Sequence, residues 1–187
     1  MKQRGQVVID KILDTADKLF YEQGYSNTGI NQIIDEADIA KASLYKHFET
    51  KTDLLIAYVQ RTHEQWFKRL EAFVNKVDDP REKLLAIFDY HIDRQEIRRF
   101  GGCPFIKAND EAGTDDPRFL AEIQATKIHS KGYIKMLVEN SGHQQLLSDE
   151  ELAVTIYAML EGSIVSASVF KKSDEIYSAK KIIQKLI

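Results

Sequence analysis

A chain of 187 residues with 43% hydrophobic and 29% charged residues has the composition of an ordinary globular protein, which excludes disordered, collagen-like and mucin-like classes. The net charge of −3 gives no global attraction for nucleic acid, and residues 1–51 hold seven Lys/Arg against eight Asp/Glu. Any nucleic-acid reading must therefore rest on where the charges sit. The single cysteine, Cys103, excludes an internal disulfide framework and a zinc cage of several thiolates, and agrees with a reducing cytosol. The N-terminal run MKQRGQVVIDKILD lacks the apolar core of a signal peptide, and no other stretch reads as approaching the ~20 apolar residues of a membrane span. A cytoplasmic protein without a membrane partner is expected.

Apolar residues recur at three- and four-residue spacing almost throughout, and only Pro80, Pro104 and Pro117 interrupt the pattern, so the fold is expected to be all-α. Ile9, Ile12, Leu13, Ala16, Leu19 and Phe20 form one stripe of a first helix over about 6–23, which Gly24 ends. Thr28 is expected to cap a short helix with Ile30, Ile33, Ile34 and Ala37 on its buried face. A tight connection through Asp38 leads to a second short helix carrying Leu44 and Phe48. Two short helices and a turn of this length are a helix-turn-helix signature. Thr50 with Asp53 resembles a capping box, opening a long helix whose apolar face runs from Leu54 through Tyr58, Trp66 and Leu70 to Val77.

Asp79-Pro80 and Asp116-Pro117 each pair an N-cap with proline at the first helical position, and Ser148 with Glu151 makes another capping box. Arg99 to Gly113 reads as a loop around one short helix, and Ser173 is expected to cap the last helix. About nine helices result, with no internal repeat. The predicted division is a helix-turn-helix domain over 1–51 and a helical domain over 52–187.

The segment from Gly24 to Leu55, GYSNTGINQIIDEADIAKASLYKHFETKTDLL, closely resembles the DNA-binding domain of the TetR family of bacterial transcription regulators. The matching features are the Gly-Tyr after the first helix, the Thr before the second, the Ile-rich core, Ala37, Lys41, the run Ser-Leu-Tyr-Lys-His-Phe, and a Lys followed by Leu-Leu. They cover about the first third of the chain; the rest is similar only in helix order and length. The resemblance implies a three-helix DNA-binding domain, joined by the long helix to a ligand-binding and dimerisation domain. It implies a homodimer on a palindromic double-stranded operator, released as a repressor by a small, largely apolar effector.

Residues 40–47 would then lie in the major groove, which admits an α-helix. DNA contacts are expected from Lys41, Ala42, Ser43, Tyr45, Lys46 and His47 on that helix, from Lys51, and from Thr28 and Gly29 at the helix before it. Lysines supply charge for phosphates or guanine edges, and Tyr45 a ring for a thymine methyl or sugar. The three departures from the family pattern are Gly29 where a small hydroxyl is common, Asp38 where the turn has glycine, and Ala40 where a hydroxyl N-cap is usual. Asp38 tolerates the left-handed backbone better than most residues.

Toward the C-terminus, Ile156, Leu160, Ile164 and Ala167 alternate with small residues such as Ser163, and with Ile183 of the last helix they could form a four-helix bundle across a two-fold axis. These are the candidate dimer contacts, with plain intramolecular core as the alternative. Trp66, Phe88, His91, Phe105, Phe119 and Tyr133 are the candidate effector contacts, since an aromatic lining with a few polar groups suits an apolar ligand. Cys103 lies beside Gly102 and Pro104, where a helix N-terminus could activate it as a redox sensor. The histidines show no metal-ligand spacing, no phosphate loop or nucleophile elbow is present, and no cofactor, metal or catalytic residue is expected. A helical small-molecule sensor or carrier without DNA binding is the alternative reading; an enzyme ranks far behind.

Overall fold

The structure, a computed structural model, describes residues 4–112, 116–143 and 146–187. They form α1 (Arg4–Glu22), α2 (Ile30–Glu36), α3 (Lys41–His47), α4 (Lys51–Val74), α5 (Pro80–Ile97), α6 (Pro104–Ala112), α7 (Pro117–Glu139), α8 (Asp149–Phe170) and α9 (Asp174–Leu186), and no strand occurs among them. Gly113, expected to end the loop around the short helix, lies outside the described residues.

The helix starts follow the sequence signals in most cases. Thr50 and Asp53 bond reciprocally at the head of α4: the Thr50 amide donates to the Asp53 carboxylate at 3.0 Å, and the Asp53 amide to the Thr50 hydroxyl at 3.0 Å. Asp79 accepts from the amides of Arg81 and Glu82 ahead of α5, and Asp116 from that of Arg118 ahead of α7. Ser148 and Glu151 complete the capping box of α8. Two expected caps fail. Gly29, not Thr28, holds the N-cap position of α2, with no side-chain bond. Ser173 stands at the start of α9 with φ −96° and ψ 7°, and its buried hydroxyl makes no capping bond, because the Ncap side chain reaches the first-turn amides only from extended backbone.

The chain divides into two compact units, Met1–Glu64 with Pro104–Gln124, and Gln65–Cys103 with Ala125–Ile187. In the first unit, α1, α2 and α3 contact one another and α6 contacts α1. Buried Ile12, Leu13, Ala16, Leu19 and Phe20 of α1 repeat at helical spacing, and Phe20 meets Tyr25 and Tyr58 edge-on, each with centroids 5.3 Å away. Arg61 of α4 bridges to Asp14 of α1 at 2.9 Å, and Arg118 of α7 to Asp53 at 3.0 Å. Lys107 of α6 donates to the Tyr21 carbonyl, and Ser26 to the Glu111 carbonyl, both at 2.7 Å.

In the second unit α5, α8 and α9 pack on one another. Leu84, Ile87 and Phe88 of α5, Leu152, Ile156, Leu160 and Ile164 of α8, and Ile176 and Ile183 of α9 share one buried cluster. Lys180 of α9 grips the Asp89 carboxylate of α5 through both oxygens, at 2.6 and 2.7 Å. One finding corrects the sequence reading: α8 is by length and composition apolar enough to cross a bilayer. Three acidic residues in its first turn and a face buried against α5 and α9 make it the central helix of this unit instead.

Gly24 adopts φ +89°, and a Cβ there would meet the Glu111 carboxylate. That carboxylate can swing aside, so the cost of Gly24→Ala is mainly the left-handed backbone, about 1–2 kcal/mol. Urea unfolding should show a loss of that size; an unchanged midpoint would mean the turn relaxes without strain.

Candidate nucleic-acid interface

The turn between α2 and α3 is a Schellman motif. Asp38 takes φ 49°, its amide donates to the Asp35 carbonyl at 3.2 Å, and the Ile39 amide to the Ile34 carbonyl at 3.3 Å. This left-handed position usually belongs to glycine; Asp38 holds it as the sequence suggested. Ala40 starts α3 with extended backbone and no side-chain cap.

The α3 helix divides cleanly by face. Leu44 is fully buried and Phe48 follows it into the core, while Lys41, Ala42, Tyr45 and Lys46 are exposed and Ser43 and His47 half-exposed. Lys41 Nζ lies 5.9 Å from the Tyr45 ring centroid, the i, i+4 neighbour that helical geometry supplies. With Lys46 and His47 in the last turn and no acidic residue along its length, α3 offers a short cationic surface. The local charges thus provide what the net charge of the chain does not.

Thr28, Gly29 and Lys51 stand differently. Thr28 is 1% exposed; its hydroxyl donates to the Gly24 carbonyl at 2.7 Å and its amide to the Tyr25 carbonyl at 3.2 Å. Thr28 therefore fastens the α1–α2 loop rather than offering its hydroxyl outward. Gly29 is exposed, with open space where a Cβ would stand. Lys51 donates to the Tyr25 carbonyl at 2.6 Å, with its ammonium 4.0 Å from the Tyr25 ring centroid, and burial pulls its pKa below the ordinary lysine value. Lys51 and Tyr25 thus lock the start of α4 to the loop before α2, a tie that the Gly-Tyr and Lys-x-x-Leu-Leu pattern signals only as recurrent residue types.

The candidate effector residues fall in both units. In the second, Trp66 and His91 have ring centroids 5.7 Å apart, and Tyr90 stands edge-on to His91 at 5.5 Å. Tyr133 meets Phe67 edge-on at 5.1 Å, and Phe67 stacks on His129 at 3.5 Å. Phe88 is wholly buried. Phe105 and Phe119 belong to the first unit, where Phe105 stands edge-on to His63 at 6.2 Å. Sequence reasoning passed over Tyr90 and His129 as ligand contacts, because their spacing did not separate them from ordinary core.

The candidate dimer residues Ile156, Leu160, Ser163, Ile164, Ala167 and Ile183 are all buried within the protomer. The exposed apolar side chains of the same two helices are Val154, Val165, Val169, Phe170, Tyr177 and Ile182. Among the described residues, no group of three or more His, Cys, Asp or Glu side chains could hold a metal ion.

Two consequences are measurable. Ala40→Ser should stabilise the protein by about 1 kcal/mol by capping α3; no gain in denaturant midpoint would show that the α3 amides are already satisfied. Burial, with Lys127 and Arg94 nearby, pulls His91 from 6.5 to about 3. The unfolded chain then binds a proton that the folded one refuses, so His91 contributes stability above pH 6.5 that is lost as pH falls toward 3. Each pH unit in that window costs at most about 1.4 kcal/mol. His91→Phe should lose less stability than the parent between pH 6.5 and 4, and parallel losses would place the acid sensitivity elsewhere.

Comparison with known proteins agrees with this architecture. Residues 12–58 match the family model for bacterial regulatory proteins of the tetR family. The HTH-type transcriptional regulator LmrA of Bacillus subtilis is 28% identical over 181 residues, 95% of each chain. An uncharacterised HTH-type regulator in the lacX 3' region of Lactococcus lactis is 26% identical over 164 residues, 86% of this chain and 83% of that one. Several other relatives are matched over less than two thirds of their length. The crystal structure of a TetR transcriptional regulator from Chloroflexus aurantiacus superposes with a TM-score of 0.84 at 22% identity, covering 97% of this chain and 94% of that one, and so shares the fold. In keeping with the helix-turn-helix and the cationic α3, residues 12–58 are similar to the DNA-binding domain of the tetR family, and the chain as a whole resembles HTH-type transcriptional regulators.

Proposed function

We propose that this regulator is a cytoplasmic homodimeric repressor that places α3 of each protomer in successive major grooves of a palindromic operator, and that a small, largely apolar effector releases it. The domain over 1–51 binds DNA; residues 52–187 bind the effector and dimerise. The observation that carries the reading is the exposed face of α3, where Lys41, Tyr45 and Lys46 project beside half-exposed Ser43 and His47, over a buried Leu44. A helix of this kind reads base edges, while lysines and amides around it fix the register on phosphates. Gly29 leaves room for close approach of the sugar-phosphate backbone, and Lys51 acts chiefly by bracing the loop before α2.

Dimerisation follows from the DNA chemistry, since one short helix reads one half-site, and half-sites repeat at about 34–36 Å. The seam is assigned to the exposed side chains Val154, Val165 and Val169 of α8 with Tyr177 and Ile182 of α9. Exposed Ala158 and Gly162 complete the α8 stripe at helical spacing, and small residues there permit close approach of a second copy. The effector contacts are assigned to Trp66, His91 and Tyr133, with Phe88 buried in the core of the same unit. Effector and DNA then oppose each other reciprocally, because each favours a different population of the same dimer.

Selection from a random duplex library with full-length protein should enrich a palindrome. Lys41→Ala with Tyr45→Ala should weaken binding to the selected operator by about 1–3 kcal/mol for each base edge no longer read, and flatten the salt dependence, while helicity is kept. Enrichment of no duplex at low salt by a folded dimer would favour the sensor or carrier without DNA binding. Val165→Asp with Val169→Asp should give monomers by sedimentation at micromolar concentration; a dimer that survives both changes would move the seam off α8.

A further inference from the structure

The turn after α1 holds a carboxylate oxygen that nothing in the protein satisfies. Gly24 takes φ +89°, and the Glu111 carboxylate, from the last turn of α6, lies where a Cβ of residue 24 would stand. The main chain of Glu111 is fixed there, since its carbonyl accepts the Ser26 hydroxyl at 2.7 Å. Glu111 Oε2 is buried and accepts no hydrogen bond, and among the described residues Glu111 makes no ion pair. A buried polar atom without a partner is costly, and in a folded protein it calls for an explanation. The setting sharpens the cost, because helix C-termini carry partial negative charge. Glu111 stands at the end of α6 and beside the turn that ends α1, and neither helix has a basic residue in its last turn.

The same residue borders a cavity. Phe20, Tyr21, Tyr25, Tyr58 and Lys107 line it together with Glu111, and it has about 10 Å³ of space for the centre of a water-sized occupant, enough for one such occupant and no more. All of these residues belong to one compact unit. Aromatic faces attract cations, and two of these rings already do so: Lys107 Nζ stands 5.0 Å from the Tyr21 ring centroid, and Lys51 Nζ 4.0 Å from that of Tyr25. Both ammonium groups are engaged by the main chain instead of the carboxylate, Lys107 by the Tyr21 carbonyl at 2.7 Å and Lys51 by the Tyr25 carbonyl at 2.6 Å.

We propose that this cavity binds a single monovalent cation of potassium or ammonium size, held by Glu111 Oε2 and the surrounding aromatic rings, and that the ion fastens α6 to the turn between α1 and α2. Size and charge set the class. The space suits an ion about as large as a water molecule and excludes bulkier organic cations. One carboxylate balances one positive charge, whereas calcium and magnesium demand a fuller shell of oxygen ligands. The turn leads directly to Thr28 and Gly29 at the head of α2, so the ion braces the approach to the helix-turn-helix. The site stands whether or not the DNA-binding reading does.

Rubidium, which replaces potassium and scatters anomalously, is the first probe. Crystals of the full-length protein soaked in rubidium chloride should show one anomalous peak beside Glu111 Oε2, and competing soaks with potassium or ammonium chloride identify which ion displaces it. In solution, wild type should unfold at higher urea in potassium chloride than in lithium chloride of equal ionic strength. That difference should level off as salt rises, because an ion bound only by the folded state stabilises it by mass action. Glu111→Gln keeps the shape and should bind potassium at least ~10-fold more weakly, since a unit charge is lost from a poorly solvated site. Circular dichroism establishes that the variant is folded, and if it is not, the wild-type soak decides. Density for a water without an anomalous signal overturns the assignment. So does a potassium–lithium difference that Glu111→Gln retains, which would mean that the salts act on the protein surface at large.

Discussion

The helix-turn-helix of this protein depends on a length constraint. Both α2 and α3 have seven residues, and helices this short do not persist in water on their own, because nucleation costs more than so few hydrogen bonds return. They exist as helices only because Ile33, Ile34, Leu44 and Phe48 are buried where α1, α2 and α3 meet. Neither helix gains a side-chain cap, so the burden on packing is heavier still. Everything that α3 presents outward is held in place by what Leu44 does inward.

That arrangement suits the segment within residues 12–58 that the family model matches. Residues from Gly24 to Leu55 are constrained twice, once by the core and once by the exposed face or the turn. Tyr25 lies in the core beside Phe20 and also receives Lys51 on its ring and its carbonyl. Asp38 serves one backbone conformation. The second unit carries no such double demand, since many side-chain sets bury α8 between α5 and α9.

How much was legible in the sequence follows from which signals are local. The caps at Thr50, Asp79, Asp116 and Ser148 were readable because donor and acceptor lie within a few residues, and the Asp38 turn because left-handed backbone selects residue types. Thr28 misled because the N-cap position falls one residue later, at Gly29, while the Thr28 hydroxyl donates back to the Gly24 carbonyl, and a capping residue type does not fix a helix start to one position. Periodicity found the apolar faces of α8 and α9 but not their partners. The most apolar positions, Ile156, Leu160 and Ile164, are consumed by the protomer's own core, leaving Val165 and Val169 outside. The contact between the rings of Trp66 and His91 joins residues far apart in the chain, which a single sequence does not reveal.

Three lysines share one habit: Lys51 bonds the carbonyl of Tyr25, Lys107 that of Tyr21, and Lys171 that of Phe100. A main-chain carbonyl is present whatever side chain its residue carries. The donor in each tie is therefore the only half that mutation can readily erase, and the acceptor residue is free to drift. Correlated substitution between the two positions would be faint even where the tie itself endures, so pairwise covariation across divergent relatives would overlook these fastenings.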